Sequence, residues 1–253
     1  MDDKLDSLKP TERFSDRVDN YAKYRPSYPG EVISFLEMET GLQKDWNIAD
    51  IGSGTGIFSA LLLEQGYKVY GVEPNKQMRE AGEKNLMKYS KFTSVDGTAE
   101  RTSLKDRSID LITIAQAFHW MKPAEARLEF KRLLKPPGYI VLIWNIRITN
   151  TPFLERFEQL KIDFGTDYKG TRMVKESEIG SFFEPPPYKY HVIPHSQVLD
   201  FDGLKGQLLS TSYMPLEGRK FDEMLIVLKG LFEQYQENGL VKVDYETKIY
   251  LKG

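Results

Sequence analysis

The chain has 253 residues, a length that suits one large α/β domain or two small ones. Its 35 lysines and arginines nearly balance 37 aspartates and glutamates, so a formal charge of -2 gives no global pull toward nucleic acid or an anionic membrane surface. With no cysteine, a disulfide framework, thiolate catalysis and any Cys-based zinc or iron–sulfur site are excluded. The opening MDDKLDSLKP is charged with no apolar stretch behind it, and no apolar run approaches the ~18–20 residues of a bilayer span. A cytoplasmic protein with a small-molecule partner is expected, with no nucleic acid and no membrane involved.

In chain order, the first feature is RFSDRVDNYAKYRPSYPGEVISFL. Phe14, Val18, Tyr21 and Tyr24 fall near helical spacing, and Pro26 and Pro29 break the chain before a helix from Glu31 to Met38. This segment reads either as an accessory helix on the sheet or as a lid whose tyrosines and Arg25 face a ligand. From about residue 30 to 145, short β-type runs alternate with amphipathic ones, the signature of βαβ units. Strands are predicted at NIADI (47–51), KVYGVE (68–73), FTSV (92–95), IDLITIA (109–115) and GYIVLIWN (138–145). Helices are predicted over Ile57 to Gln65, Lys76 to Lys88, and Ala124 to Leu134, the last stopped by KPPG because proline cannot continue a helix.

Beyond residue 150 the pattern changes. Phe153, Phe157, Leu160 and Phe164 make a helical stripe; EPPPYKY is a loop leading into YHVIPHSQVLDF, where Pro194 marks an edge or bulged strand. Phe221, Met224, Leu225, Leu228, Leu231, Phe232 and Tyr235 mark one face of a long helix, and GLVKVDYETKIYLKG closes the chain with alternating strand residues. These elements predict an α/β fold: a doubly wound, mostly parallel seven-stranded sheet with an antiparallel edge strand, helices on both faces and an N-terminal helical lid. No repeat, linker or composition break divides the chain. A single domain over 1–253 is expected, with a lid segment at 1–40, a binding core at 46–145 and an acceptor side at 150–253.

ADIGSGTGIF carries the chemistry, since Gly52, Gly54 and Gly56 fall at the first strand-to-helix turn, where ligands of such sheets bind. Glycine removes the Cβ, so a ligand can approach the main chain and meet the amides at the next helix's amino end. The dinucleotide fingerprint G-x-G-x-x-G is not met, because the third glycine comes one residue early and Ile57 fills its place; no lysine follows to make a phosphate loop. Asp50, two residues before Gly52, would repel phosphates and welcome a cationic centre. Glu73, seventeen residues past Gly56, ends the second strand, where an acid can accept from two ribose hydroxyls. A phosphate-free, cationic nucleoside is implied.

IADIGSGTG, VYGVEPNKQM, SVDGTAERTSL, IDLITIAQAFHW and RLLKPPGYIVL, in that order, resemble the motifs of class I S-adenosylmethionine-dependent methyltransferases, a Rossmann-like fold. YAKYRPSYP, AQAFHW and SYMP resemble their small-molecule branch, which includes trans-aconitate methyltransferase-like proteins. Pro137 stands where the family's L-K-P-G-G has its first glycine. The resemblance implies S-adenosyl-L-methionine as methyl donor and S-adenosyl-L-homocysteine as product. It implies Asp50 near the methionine ammonium, against the alternative of an acid capping the loop's own amides. Gly52, Ser53, Gly54 and Gly56 would cradle the donor and Glu73, with Pro74, its ribose. Asp96 or Thr98, with the Ala99 amide, would meet adenine, and Gln116, which begins the loop after the fourth strand, would also contact the donor.

In that loop His119 is either a base for a hydroxyl or carboxylic acid acceptor or part of a packed FHW cluster. The acceptor pocket is expected from Tyr21, Tyr24, Arg25, Phe118, Trp120 and Tyr213, with Arg25 as a carboxylate clamp. His191 and His195 are four apart on a strand rather than a helix and read as structural; no metal is expected. The reaction would be O-methylation of a carboxylate or hydroxyl on a small molecule by in-line displacement. Two alternatives stand beside it: a binding protein without turnover, and a nicotinamide oxidoreductase, which the glycine spacing disfavours.

Overall fold

The computed structural model describes residues 24–166, 174–185 and 187–253. Phe14, Val18 and Tyr21 lie outside them. Eight helices are found among the described residues: α1 (Glu31–Thr40), α2 (Ile57–Glu64), α3 (Lys76–Leu86), α4 (Pro123–Leu133), α5 (Pro152–Phe164), α6 (Glu176–Phe182), α7 (Phe201–Leu209) and α8 (Arg219–Tyr235). The strands are β1 (Asn47–Ile51), β2 (Lys68–Val72), β3 (Phe92–Val95), β4 (Ile109–Ala115), β5 (Leu134–Arg147), β6 (Lys189–Leu199) and β7 (Val241–Lys252). Local chemistry sets the boundaries. Asn75 and Thr151 cap α3 and α5 by accepting from the Met78 and Leu154 amides, and prolines at the start of α4 and α5 stand where a missing N–H costs nothing.

The strands form one sheet in the order β3-β2-β1-β4-β5-β7-β6. β1 to β5 pair in parallel, whereas β7 runs antiparallel to both β5 and β6. The antiparallel strand therefore falls one place inside the sheet edge, which is β6. Pro194 sits on that edge strand, where its missing N–H removes nothing from a central ladder. β5 starts four residues earlier than its sequence pattern suggests. The chain leaves α4 directly into extended backbone at Leu134, because Pro136 and Pro137 favour that backbone in themselves and in the residues before them.

Alternation with period two splits the core. Ala49, Ile51, Ile112, Ile114, Leu142 and Trp144 face α4 and α6, while Ile48, Leu111, Val141 and Ile143 face α1, α2 and α3. A third cluster joins α5, α7 and α8 to Val241, Val243 and Tyr245 of β7. Strand order reverses between β1 and β4, so the crevice at their carboxyl ends is where a doubly wound sheet places its ligand. Phe130 of α4 is fully buried and edge-on to Phe182. Phe130→Ala should lower the unfolding free energy by about 3–5 kcal/mol, read from the denaturant midpoint; a loss below about 1 kcal/mol would mean that α4 is not held by this ring.

Candidate functional site

The turn after β1 has an unusual backbone. Gly52, Gly54 and Gly56 all have positive φ, at 70°, 57° and 86°. Two of them are also required by space: a Cβ on Gly52 would lie 2.5 Å from Ala117 Cβ, and one on Gly56 2.6 Å from Leu86 Cδ1. The Gly52 and Ser53 amides donate to the Val72 carbonyl at 2.8 and 3.1 Å, which hangs the loop on the end of β2.

Two acids flank this loop. Asp50 is 1% exposed, and its carboxylate accepts from Ser59 Oγ at 2.6 Å and Thr113 Oγ1 at 2.9 Å. It thereby joins β1, β4 and the first turn of α2 beneath the glycines. Burial raises its pKa to about 6, against the lowering effect of the Ser59 and Thr113 bonds. Asp50, expected near a ligand's cationic centre or on the loop's own amides, is held by the Ser59 and Thr113 hydroxyls and by the Ser59 backbone amide. Glu73 follows β2. Its Oε2 accepts from Gly54 N at 2.9 Å and its Oε1 from Asn75 N at 2.8 Å. Burial pushes its pKa up, while those two amides and Arg79 hold it down. Pro74 turns the chain here, and Arg79 donates to the Glu73 and Pro74 carbonyls.

Arg79 also reaches Asp96 after β3, at 3.0 Å, so Asp96 is already engaged in an ion pair at the site's rim. Thr98 is exposed and bonds through its backbone to Arg101 in both directions. Ala99 is buried, and its N–H donates to no protein acceptor among the described residues. This loop is fixed from behind, since Glu129 Oε1 accepts from Thr102 N and Oγ1, and Arg132 holds Glu129. The Arg132 guanidinium and the Thr102 donors hold the Glu129 carboxyl down at about 2. Glu100 then accepts from Lys122 N, linking this loop to the one after β4.

Gln116 opens the β4 loop with φ of 59°, a left-handed backbone that is uncommon for a residue with a side chain. Its Nε2 donates to the Asn145 carbonyl at 2.7 Å. Asn145, which no sequence pattern singles out, is a hub: its Nδ2 donates to the Ser27 carbonyl and its Oδ1 accepts from Thr247 Oγ1. The chain before α1 is thus tied to the carboxyl end of β5. Tyr24 lies against Gly206 of α7, and Arg25 donates to the Ser210 carbonyl at 3.3 Å.

Phe118, expected on the acceptor side, packs into the core. Its ring is 2% exposed, edge-on to Trp144 and Phe182, because the 3-10 turn Phe118–Trp120 points it inward. His119 and Trp120 stay half-buried, with ring centroids 4.7 Å apart. Tyr213 is half-buried, and its carbonyl accepts from Thr166. His191 stacks on Phe35 and His195 on Tyr245, on the edge strand.

A mostly parallel sheet in this order, with a bare glycine loop after β1 and an anchored acid after β2, is a Rossmann-like α/β fold. Residues 49–142 match the family described as "Methyltransferase domain". The chain is 37% identical over 134 residues to an uncharacterized methyltransferase of Mycobacterium tuberculosis, covering 53% of this chain and 52% of that one. It therefore spans about half the length of these first relatives. Similarity to an uncharacterized methyltransferase-like protein of Schizosaccharomyces pombe is lower, 27% over 245 residues, and covers 94% of this chain and 93% of that one. The fold is also that of a candidate type II methyltransferase from Anaeromyxobacter dehalogenans, with a TM-score of 0.65 at 17% identity, covering 90% of this chain and 97% of that one.

Asp50 makes stability depend on pH in a definite direction. Its pKa is about 6 in the folded chain against 3.8 for an ordinary Asp, so the folded state binds this proton more tightly. Its contribution therefore declines as pH rises from about 4 to about 6, by on the order of 3 kcal/mol. Denaturation of the wild type and of Asp50→Asn at pH 4.5 and pH 7, as chosen conditions of about those values, should show the wild type losing ground to the variant at the higher pH. A constant difference would refute the shift.

Proposed function

We propose that this chain is a methyltransferase acting on an oxygen of a small-molecule acceptor. The observation that carries this reading is the bare loop Gly52–Gly56 beside a Glu73 carboxylate whose two oxygens are each anchored by one backbone amide. Each of those oxygens keeps a further lone pair for a ribose hydroxyl, and a carboxylate so held need not reorganise when a ligand arrives. Bound S-adenosylmethionine supplies a methyl carbon on a cationic sulfur. The chain's part is to hold, orient and exclude water.

Gly52, Ser53, Gly54 and Gly56, with Pro74 beside Glu73, form the cradle. The Ala99 amide is the donor for an adenine ring nitrogen, with Thr98 at the open rim and Asp96 acting through Arg79. Asp50 supports the loop from beneath and adds negative charge there. Gln116, His119 and Trp120 from the β4 loop, with Tyr24, Arg25 and Tyr213, form the acceptor side. A carboxylate acceptor is ionised at neutral pH and needs no base; with a hydroxyl acceptor, His119 takes the proton. The near-even charge supports a small acceptor over nucleic acid. No described helix is long and apolar enough to cross a membrane. Membership of the small-molecule branch rests on YAKYRPSYP, AQAFHW and SYMP.

Calorimetry with S-adenosylhomocysteine should show binding to the wild type that weakens about tenfold or more in Glu73→Gln, the scale of losing a hydrogen bond to a charged acceptor. NAD should give no heat. Binding of NAD in place of S-adenosylhomocysteine would overturn the reading. His119→Ala separates the acceptor chemistries: with a hydroxyl acceptor kcat should drop by about 10²–10⁴, and with a carboxylate acceptor it should change little.

A further inference from the structure

The free edge of the sheet carries a groove that no residue named for the donor or the acceptor lines. It has a volume of about 340 Å³ and lies between α1 and β6. On one wall stand Glu31, Ser34, Phe35 and Met38, spaced as one face of a helix. Phe35 stacks on His191 of β6 with ring centroids 4.6 Å apart, which fastens the helix to the strand, and Met38 is 73% exposed.

The register settles which main-chain groups of β6 are free. Ile148 N donates to the Asp244 carbonyl directly opposite, so Asp244 and every second residue along β7 turn their main chain to β5. Tyr245, Thr247 and Ile249 therefore turn theirs to β6, where they face His195, Ile193 and His191. Tyr190, Val192, Pro194, Ser196 and Val198 turn theirs away from the sheet, and no strand among the described residues pairs with β6 on that side. Pro194 has no N–H to present there, so its place removes nothing from the β6–β7 ladder. Val192 presents both a donor and an acceptor beside the groove.

We propose that the β6 edge and α1 form a docking groove for an extended peptide segment of a partner protein. The segment adds as a further strand at Tyr190 and Val192, sets an apolar side chain against Phe35 and Met38, and directs a basic side chain to Glu31. Unpaired N–H and C=O groups at strand spacing are matched by another extended backbone, which an apolar small molecule cannot supply. Charge selects the basic side chain: α1 carries no basic residue, and while Glu37 pairs with Lys44 and Glu39 with Lys189, Glu31 is exposed with no ion pair among the described residues. Pro194 limits the length, since a second copy pairing along the whole of β6 would meet the missing donor twice, once from each chain.

Random peptides of about seven residues displayed on phage and panned on the full chain supply the probe. Enriched sequences should alternate apolar residues and carry a lysine or arginine, and one of them, made synthetically, gives an affinity by fluorescence anisotropy. Val192→Pro removes the outward N–H without touching the β7 ladder and should weaken binding of that peptide by about tenfold or more. Glu31→Lys, on the helix surface, should weaken it by about fivefold. The thermal midpoint of each variant checks the fold; should Val192→Pro fail that check, Glu31→Lys alone decides. The docking role is overturned if no peptide is enriched, if those enriched lack a basic residue, or if a folded variant binds as tightly as the wild type. A wild-type dimer that Val192→Pro dissociates, read by sedimentation, overturns it too by making the occupant a second copy.

Discussion

Asp50 places a carboxylate at the end of the central strand with almost no water around it, and the rest of the site depends on how that charge is held. Ser59 and Thr113 are its hydrogen-bond partners, one from the helix that follows the glycine loop and one from the neighbouring strand β4. These bonds offset part of a large desolvation cost, and they do so only while β1, β4 and α2 keep their present spacing. A charge that is costly to bury therefore acts as a positional constraint. It holds the start of α2 against the sheet, and with it the amides that the three glycines leave uncovered.

The constraint propagates outward through single contacts. The loop hangs from Val72, Glu73 reaches back to Gly54, and Gly82 of α3 lies so close that a Cβ there would sit 3.0 Å from the Gly54 carbonyl. Arg79 joins the ends of β2 and β3, and Glu129 with Arg132 fixes the loop beyond β3. None of these contacts is strong alone. Together they hold the carboxyl ends of four strands in a fixed relation, which limits what has to be reorganised on binding.

Much of the frame was legible because periodicity is a local property. β1, β3 and β4 match their predicted limits, and α2, α3 and α8 carry the expected apolar faces. The antiparallel strand was legible as a late β run, but its place inside β6 was not, since strand order depends on contacts distant in sequence. The glycines and Glu73 were visible because a bare turn and an acid at a strand end are rare in combination. Asn145 and Arg147 were not, because on sequence they are two polar residues at the end of an apolar strand. Their meaning comes from Gln116, Ser27, Thr247 and Glu158, each brought near by a different part of the fold. The packing of Phe118 was hidden for the related reason that its position after a strand says nothing of the turn that rotates it inward.

A net charge near zero conceals a separation of charge along the sheet. Asp50 and Glu73 stand at the ends of β1 and β2, close enough that the charge of Asp50 helps to raise the Glu73 pKa. Arg147 stands at the end of β5, with Lys161 and Arg25 around it. Two strand spacings, about 10 Å, separate β1 from β5, and at an effective dielectric near 20 a pair of unit charges at that distance interacts by about 1–2 kcal/mol. A cation lodged against the two acids would relieve their mutual repulsion. Such a field favours a cation at one end of the sheet and opposes it at the other.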